Sequence, residues 1–259
     1  TLGFQRRGTN QLCPVTHCPI SSPGINAAIA TLNEMAKDRR FPNFLQSVEL
    51  FTNEQETLIN VLSSSRPVGK RFFDWCAEKI PGSAESALVY QGFRTSHKSF
   101  FQVNRFLIER LGELALEEAT GKLAVDLYAG VGLFSRSLTQ KFERVMSVEV
   151  VRSAIADLEV NVPQAAAIQE STEDYLATLD EKPDFILADP PRSGLGKRTV
   201  DHLLRIRAPQ LTIVSCDPAT LARDLQALTT GGYKIEKMTL VDLFPQTYHI
   251  ESVTRLRHE

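Results

Sequence analysis

Phe185-Ile186-Leu187-Ala188-Asp189-Pro190-Pro191-Arg192 is an apolar run of strand length that stops on a carboxylate and two prolines. Consecutive apolar residues without polar alternation read as a strand buried on both faces. The prolines keep the backbone after Asp189 stiff and extended, so no helix begins at once. A carboxylate is thereby presented at the carboxyl end of a strand, where open α/β sheets place their ligands. A simple turn accounts for the prolines but not for the acid ahead of them.

Working outward, the same pattern recurs. Strands read at 123–127, 144–148, 166–169, 184–188 and 211–215, and helices at 132–140, 151–160, 173–179, 197–207 and 218–230. Strand–helix alternation at this spacing is the signature of a parallel, doubly wound sheet. Residues 233–241 and 250–256 then read as two strands with no helix between them. An antiparallel pair closing a parallel sheet is the pattern of the class I methyltransferase variant of the Rossmann-like sheet. Ahead of it, Phe100-Phe101-Gln102-Val103-Asn104 precedes an amphipathic helix with Phe106, Leu107, Leu111, Leu114 and Ala115 on its apolar face.

Residues 1–100 form a smaller mixed α/β region. Ile25, Ala28, Ile29, Leu32 and Met35 predict a helix over 25–38, and 47–52 with 57–62 predict a hairpin. Pro67 opens a second helix, closed by Pro81-Gly82, and further strands read around 87–90 and up to Ser96. The domain expectation is therefore a region 1–100 followed by a second domain over 101–259.

Composition narrows the class. The chain has 259 residues, 42% hydrophobic and 23% charged, with no apolar run long enough for a membrane span. Net charge is −2, but residues 1–100 hold 11 Lys/Arg against 8 Asp/Glu, and residues 101–259 hold 18 against 23. A basic region beside an acidic one gives weak support for a polyanion partner. Four cysteines in a chain of this length do not make a disulfide framework, which points to a reducing, cytoplasmic setting. Cys13, His17 and Cys18 complete no metal site with the remaining cysteine nearby, Cys76, so none is expected. The opening Thr1-Leu2-Gly3-Phe4 lacks an initiator methionine and starts in mid-pattern, which suggests an upstream piece.

The chemistry-bearing residues fall at strand ends. Asp126-Leu127-Tyr128-Ala129-Gly130-Val131-Gly132 follows the first strand of the repeating part, its glycines letting the backbone approach a ligand. Glu149 ends the second strand, placed either for a ribose diol or as a helix-capping carboxylate. Leu211-Thr212-Ile213-Val214-Ser215-Cys216-Asp217-Pro218 puts a thiol between a strand end and a helix capped by Asp217. Cys216 is there either a buried structural residue or a thiol whose pKa a helix N-terminus lowers.

Together with Phe244-Pro245-Gln246-Thr247-Tyr248-His249-Ile250-Glu251-Ser252, these motifs resemble the uracil-5 RNA methyltransferase family. The likeness is strongest over 100–259, with five motifs in order. It implies S-adenosylmethionine as methyl donor and RNA (ribosomal or transfer) as substrate, with residues 1–100 the RNA-contacting region; no membrane and no obligate protein partner is read from the sequence. By that resemblance Cys216 is the nucleophile, Glu251 the general base, and Gln102, Tyr128, Glu149 and Asp189 the donor pocket. Some members have asparagine at the position of Leu133, so no donor contact is assigned there. Some also hold an iron–sulfur cluster, through a last cysteine in a Cys-Pro-Ile element like Cys18-Pro19-Ile20. The other ligands would lie upstream, and this likeness tilts the RNA towards ribosomal. Two other readings remain: an amino-group nucleobase methyltransferase on the same fold, which needs no cysteine, and an inactive RNA-binding assembly factor.

Overall fold

The computed structural model describes all residues except Thr1, Arg7, Asn10, Val103, Tyr248 and Glu259. The parts of the two motifs that fall on Val103 and Tyr248 lie outside the described residues. The chain divides into two compact units, Thr1–Lys98 and Ser99–Glu259.

The first unit runs β1 (Gly3–Gln5), β2 (Leu12–Pro14), α1 (Pro23–Met35), β3 (Leu45–Thr52), β4 (Thr57–Ser64), α2 (Lys70–Lys79), β5 (Ala87–Tyr90) and β6 (Phe93–Ser96). The strands pair in sequence as three antiparallel hairpins. Ser22 caps α1 through its side chain, and the buried Ala28, Leu32 and Met35 pack with Ile59, Phe72, Cys76 and Ile80. Burial pushes the Cys76 thiol up to about 12, so this cysteine is a core residue without nucleophilic character. The hairpin β1–β2 falls where the sequence shows only short apolar pieces, too brief for a period to register.

The second unit runs α3 (Ile108–Ala115), β7 (Leu123–Leu127), α4 (Leu133–Leu138), β8 (Arg144–Glu149), α5 (Arg152–Asn161), β9 (Ala166–Gln169), α6 (Thr172–Thr178), β10 (Phe185–Ala188), α7 (Gly196–Ile206), β11 (Gln210–Ser215), α8 (Pro218–Thr230), β12 (Tyr233–Val241) and β13 (Glu251–His258). Its seven strands form one sheet in the order β12-β13-β11-β10-β7-β8-β9. The neighbours from β11 to β9 are parallel, and β13 is antiparallel to both β11 and β12. This is the class I methyltransferase sheet with its antiparallel closing strand.

Every residue of β7 and β10 is buried, as expected of central strands covered by helices on both faces. One face packs Val125, Ile186, Ile213 and Leu256 against α7 and α8; the other packs Ala124, Leu187, Val214 and Val253 with α3 and α4. The topological switch lies between β10 and β7, so their carboxyl ends open a crevice there. Among the described residues, no helix is long and apolar enough to cross a membrane.

The amphipathic pattern over 106–115 overstates the helix. α3 begins only at Ile108, and Phe106 is 80% exposed instead of in the core. The cause is Asn104. Its carboxamide oxygen accepts from the Phe106 N–H at 3.2 Å, an Asx-type turn that competes with helix initiation.

Candidate active site

Three positive-φ residues shape the turn after β7: Tyr128 at 61°, Gly130 at 55° and Gly132 at 97°. A Cβ on Gly132 would lie 2.8 Å from a Val162 methyl, so only glycine lets α5 pack this close. Above Gly130 the nearest neighbour to such a Cβ is the Phe100 carbonyl, 3.9 Å away. That side of the turn is open to a ligand. The Gly130 N–H donates to Glu149 at 2.9 Å, and the Val151 N–H to the other oxygen of Glu149 at 2.7 Å. Glu149 thus ties the first βα turn to the second. Each of its oxygens keeps a lone pair for a further donor, such as a ribose hydroxyl. The capping and ligand-binding readings of this residue are compatible.

Beneath the turn, Asp126 is fully buried and accepts from the Ser135 hydroxyl, which also meets the Ser147 hydroxyl at 2.8 Å. Its other oxygen is buried without a partner. Burial raises the Asp126 carboxyl to about 7 against the Ser135 hydrogen bond, with the charges of Asp189 and Glu149 adding to the rise. Tyr128 is half-buried against the sheet core, and burial raises its phenol as well.

Asp189 follows β10. Its backbone N–H still reaches the Leu127 carbonyl at 3.3 Å, which holds it against β7. The Gln102 amide lies 3.5 Å from one of its oxygens, a long contact that brings the residues before α3 to the same strand end. Asp189 is partly open to the crevice yet enclosed by protein. Desolvation pushes its carboxyl up to about 8, and the charge of Glu251 adds to the effect.

Cys216 ends β11. Asp217 caps α8 by accepting from the Ala219 and Thr220 N–H groups, and Pro218 occupies the first turn. Register places Glu251 opposite. Ser215 pairs with Ser252 across β11 and β13, and the Ser252 hydroxyl donates to the Ser215 carbonyl at 3.1 Å. One residue further, Cys216 and Glu251 stand at the mouth of the same ladder.

Glu251 is not a solvated edge residue. β12 occupies the edge, leaving Glu251 inside at 2% exposure with one oxygen buried and unpartnered. Burial lifts its carboxyl to about 7. The Cys216 thiol is raised too: desolvation leads, Glu251 adds, and the Arg192 guanidinium opposes both. The helix N-terminus after Cys216 therefore does not produce a depressed thiol in this state.

The structure brings Gln102, Asp189, Cys216 and Glu251 together, with Tyr128 and Glu149 on the adjoining strand ends. Three neighbours have no assigned role in the sequence. Arg192, directly after the two prolines, moderates the thiol and has a guanidinium nitrogen 3.3 Å from the His249 ring. Asn104 donates to the Leu243 carbonyl at 2.8 Å, fastening the Gln102 segment to the loop that leads to Glu251. The Asp126–Ser135–Ser147 contact joins β7, α4 and β8, so no single local pattern in the sequence displays it.

Comparisons with known proteins agree with this geometry. A family model described as tRNA (uracil-5-)-methyltransferase matches residues 177–259, which include Asp189, Cys216 and Glu251. A protein of Enterococcus faecalis named an uncharacterized RNA methyltransferase is 39% identical over 98% of this chain and 67% of its own length. A Clostridium acetobutylicum protein of similar name is 33% identical over 64% of this chain and 38% of its own length. The chain thus spans about two thirds of the first relative, and the match to the second is shorter. Among solved structures, the tRNA (uracil-54, C5)-methyltransferase of Pyrococcus abyssi, in complex with S-adenosyl-L-homocysteine, superposes with a TM-score of 0.71. The match is 24% identical and covers 98% of this chain and 72% of that one. The N-methyltransferase NodS of Bradyrhizobium japonicum gives a TM-score of 0.51 at 16% identity, over 60% of this chain and 86% of its own. These likenesses show the fold, and the Enterococcus relative together with the family model shows the family: this chain belongs to the uracil-5 RNA methyltransferases.

Proposed function

We propose that this protein transfers a methyl group from S-adenosylmethionine to carbon 5 of a uridine in RNA, through a covalent adduct between Cys216 and the base. The observation that carries the reading is the placement of Cys216 and Glu251 one residue beyond the Ser215–Ser252 pair of one strand ladder, with one Glu251 oxygen buried and unpartnered among the described residues. An amino-group methyltransferase needs neither residue, and a binding factor gains nothing from a buried carboxylate held near neutrality.

The residues present fit the donor. The open face above Gly130 admits a nucleoside, Glu149 retains lone pairs for a diol, and the enclosed carboxylate of Asp189 suits a positively charged neighbour. Gln102, Tyr128, Glu149 and Asp189 are the residues that would hold it. When bound, S-adenosylmethionine supplies a methyl group on a sulfonium, an electrophile for carbon 5.

The rest falls to the chain. Carbon 5 of uracil is a weak nucleophile until the Cys216 thiolate adds to carbon 6, which turns the ring into an enolate. After methylation the carbon-5 proton must leave. Glu251, ionised and desolvated, takes it, and β-elimination restores the carbon 5–carbon 6 double bond and releases the thiolate. A uridine paired in folded RNA would have to be extruded first, at about a few kcal/mol.

The basic residues of the first unit extend the reading: residues 1–98 contact the RNA and residues 99–259 perform the chemistry. The Cys18-Pro19-Ile20 element favours ribosomal RNA, whereas the family model and the Pyrococcus neighbour are named for transfer RNA. Methylation assays on separate unmodified transcripts of each assign the substrate.

RNA containing 5-fluorouridine tests the mechanism. Fluorine at carbon 5 cannot be abstracted as a proton, so a methylated adduct with wild-type protein should survive denaturing electrophoresis. Cys216→Ala should form none and lose turnover by on the order of 10⁴-fold or more. An accepted RNA that yields no Cys216-dependent adduct would remove the covalent mechanism.

A further inference from the structure

Phe106 is the most exposed large apolar side chain among the described residues, at 80%. Its position is built. Asn104 accepts from its N–H and donates to the Leu243 carbonyl, while Leu107 next to it packs into the core beside Leu243 and Phe244. Anchored on both sides, the intervening residues cannot fold inward. The Arg105 guanidinium lies 5.0 Å from the Phe106 ring centroid and has no ion-pair partner among the described residues. Phe100, two residues before Gln102, is 66% exposed, and Ile250 directly precedes Glu251 at 39%. The outward apolar side chains therefore sit on the segments that carry the candidate site.

An exposed ring with a cation stacked on it offers a π face to a nucleobase and a positive charge to the adjoining phosphate. A stable protein interface would bury roughly 800 Å² of surface on each side around an apolar centre depleted of charge. Here the ring is flanked by the charged, exposed Arg105, Glu109 and Arg110. The surroundings suit a single base.

We propose that Phe106 and Arg105 form a stacking platform for a nucleobase neighbouring the target uridine. The inference rests on the RNA-methyltransferase reading of the site and names how the same site grips the strand beside its target.

The test uses the full-length protein and a single-stranded dodecaribonucleotide with one uridine between purines. Phe106→Ala should weaken binding about tenfold, the lower part of what base–aromatic stacking supplies, with an unchanged melting temperature. On the same oligonucleotide with abasic sugars flanking the uridine, wild type and variant should bind alike. Phe106→Trp should keep the affinity, and its indole fluorescence should be quenched on binding beyond any change in the Trp75 signal of the wild type. Equal Kd values for wild type and Phe106→Ala on the intact RNA overturn the platform. So does an equal loss on intact and abasic RNA, or a wild type that does not bind the dodecamer. Absence of 5-methyluridine in transcripts treated with wild type instead overturns the reading of the site, and the platform is still decided by the Kd comparison.

Discussion

Glu149, at the end of β8, accepts hydrogen bonds from two backbone amides, whereas Glu251, at the start of β13, has a buried oxygen with no donor among the described residues. Both carboxylates stand at strand ends of one sheet. The first is anchored by groups that cannot move, so its remaining lone pairs point in fixed directions. It suits recognition of a diol. The second is desolvated without compensation, which raises its proton affinity towards neutrality. It suits taking a proton. The two identical side chains differ because backbone amides meet one carboxylate and none meets the buried oxygen of the other among the described residues.

Removing the second carboxylate should have the larger effect. Glu251→Gln is expected to lower kcat by roughly 10²–10⁴-fold, the usual share of a general base, with methylated adduct accumulating because the carbon-5 proton stays. Wild-type activity should rise with pH through about 7 as Glu251 ionises, and continue rising as the elevated Cys216 thiol ionises. The variant should lose the lower step. Stability moves the other way. A carboxyl whose folded pKa lies above its unfolded value, here about 7 against roughly 4.3, stabilises fully below the unfolded value and loses that contribution as pH climbs to the folded one. Glu251→Gln should therefore match wild type near pH 4 and exceed it by on the order of 1–3 kcal/mol at pH 8, in denaturant titrations. A variant that is fully active, or less stable at pH 8, breaks the contrast.

Glu149→Gln probes the other side. The amide nitrogen would confront one of the two N–H donors, and one charge-assisted bond would be lost. KM for S-adenosylmethionine should rise about 10- to 100-fold with little change in kcat. A drop confined to kcat would place Glu149 in the chemistry and blur the division. The smallest effect belongs to Asn104→Ala, which frees the Gln102 segment from the Leu243 carbonyl. It should cost about 1 kcal/mol in thermal or denaturant unfolding, and raise KM for RNA by less than about tenfold. No change in either would show that the two segments are held together by packing alone.

Where the sequence was informative, local patterns sufficed. The runs at β7, β9 and β12 have the observed ends, because buried strands flanked by turn residues leave little latitude. The cap at Asp217 with Pro218 behind it is equally local. What escaped depends on distant partners. The delayed start of α3 needs the Asn104 turn held against Leu243, 139 residues away. The burial of Glu251 is not legible locally, because Ile250 and Ser252 beside it carry no sign of what covers the carboxylate. Only β12 pairing outside β13 encloses it, and that order is not written in any periodicity. The elevated Cys216 thiol likewise follows from Glu251 and enclosure, neither of which lies near it in the chain.

Strand order has a consequence for synthesis. β13 follows β12 in the chain, yet it lies between β11 and β12 rather than outside them. While the chain is still emerging from the ribosome, β11 has an open edge and β12 has nothing to pair with in this sheet. Such contacts between distant segments close slowly, and an open edge invites aggregation. When β13 enters, the same event seals the edge and delivers Glu251 to Cys216. Completion of the sheet and the approach of Glu251 to Cys216 are then one folding step, so a nascent chain cannot hold the two together before its sheet is closed.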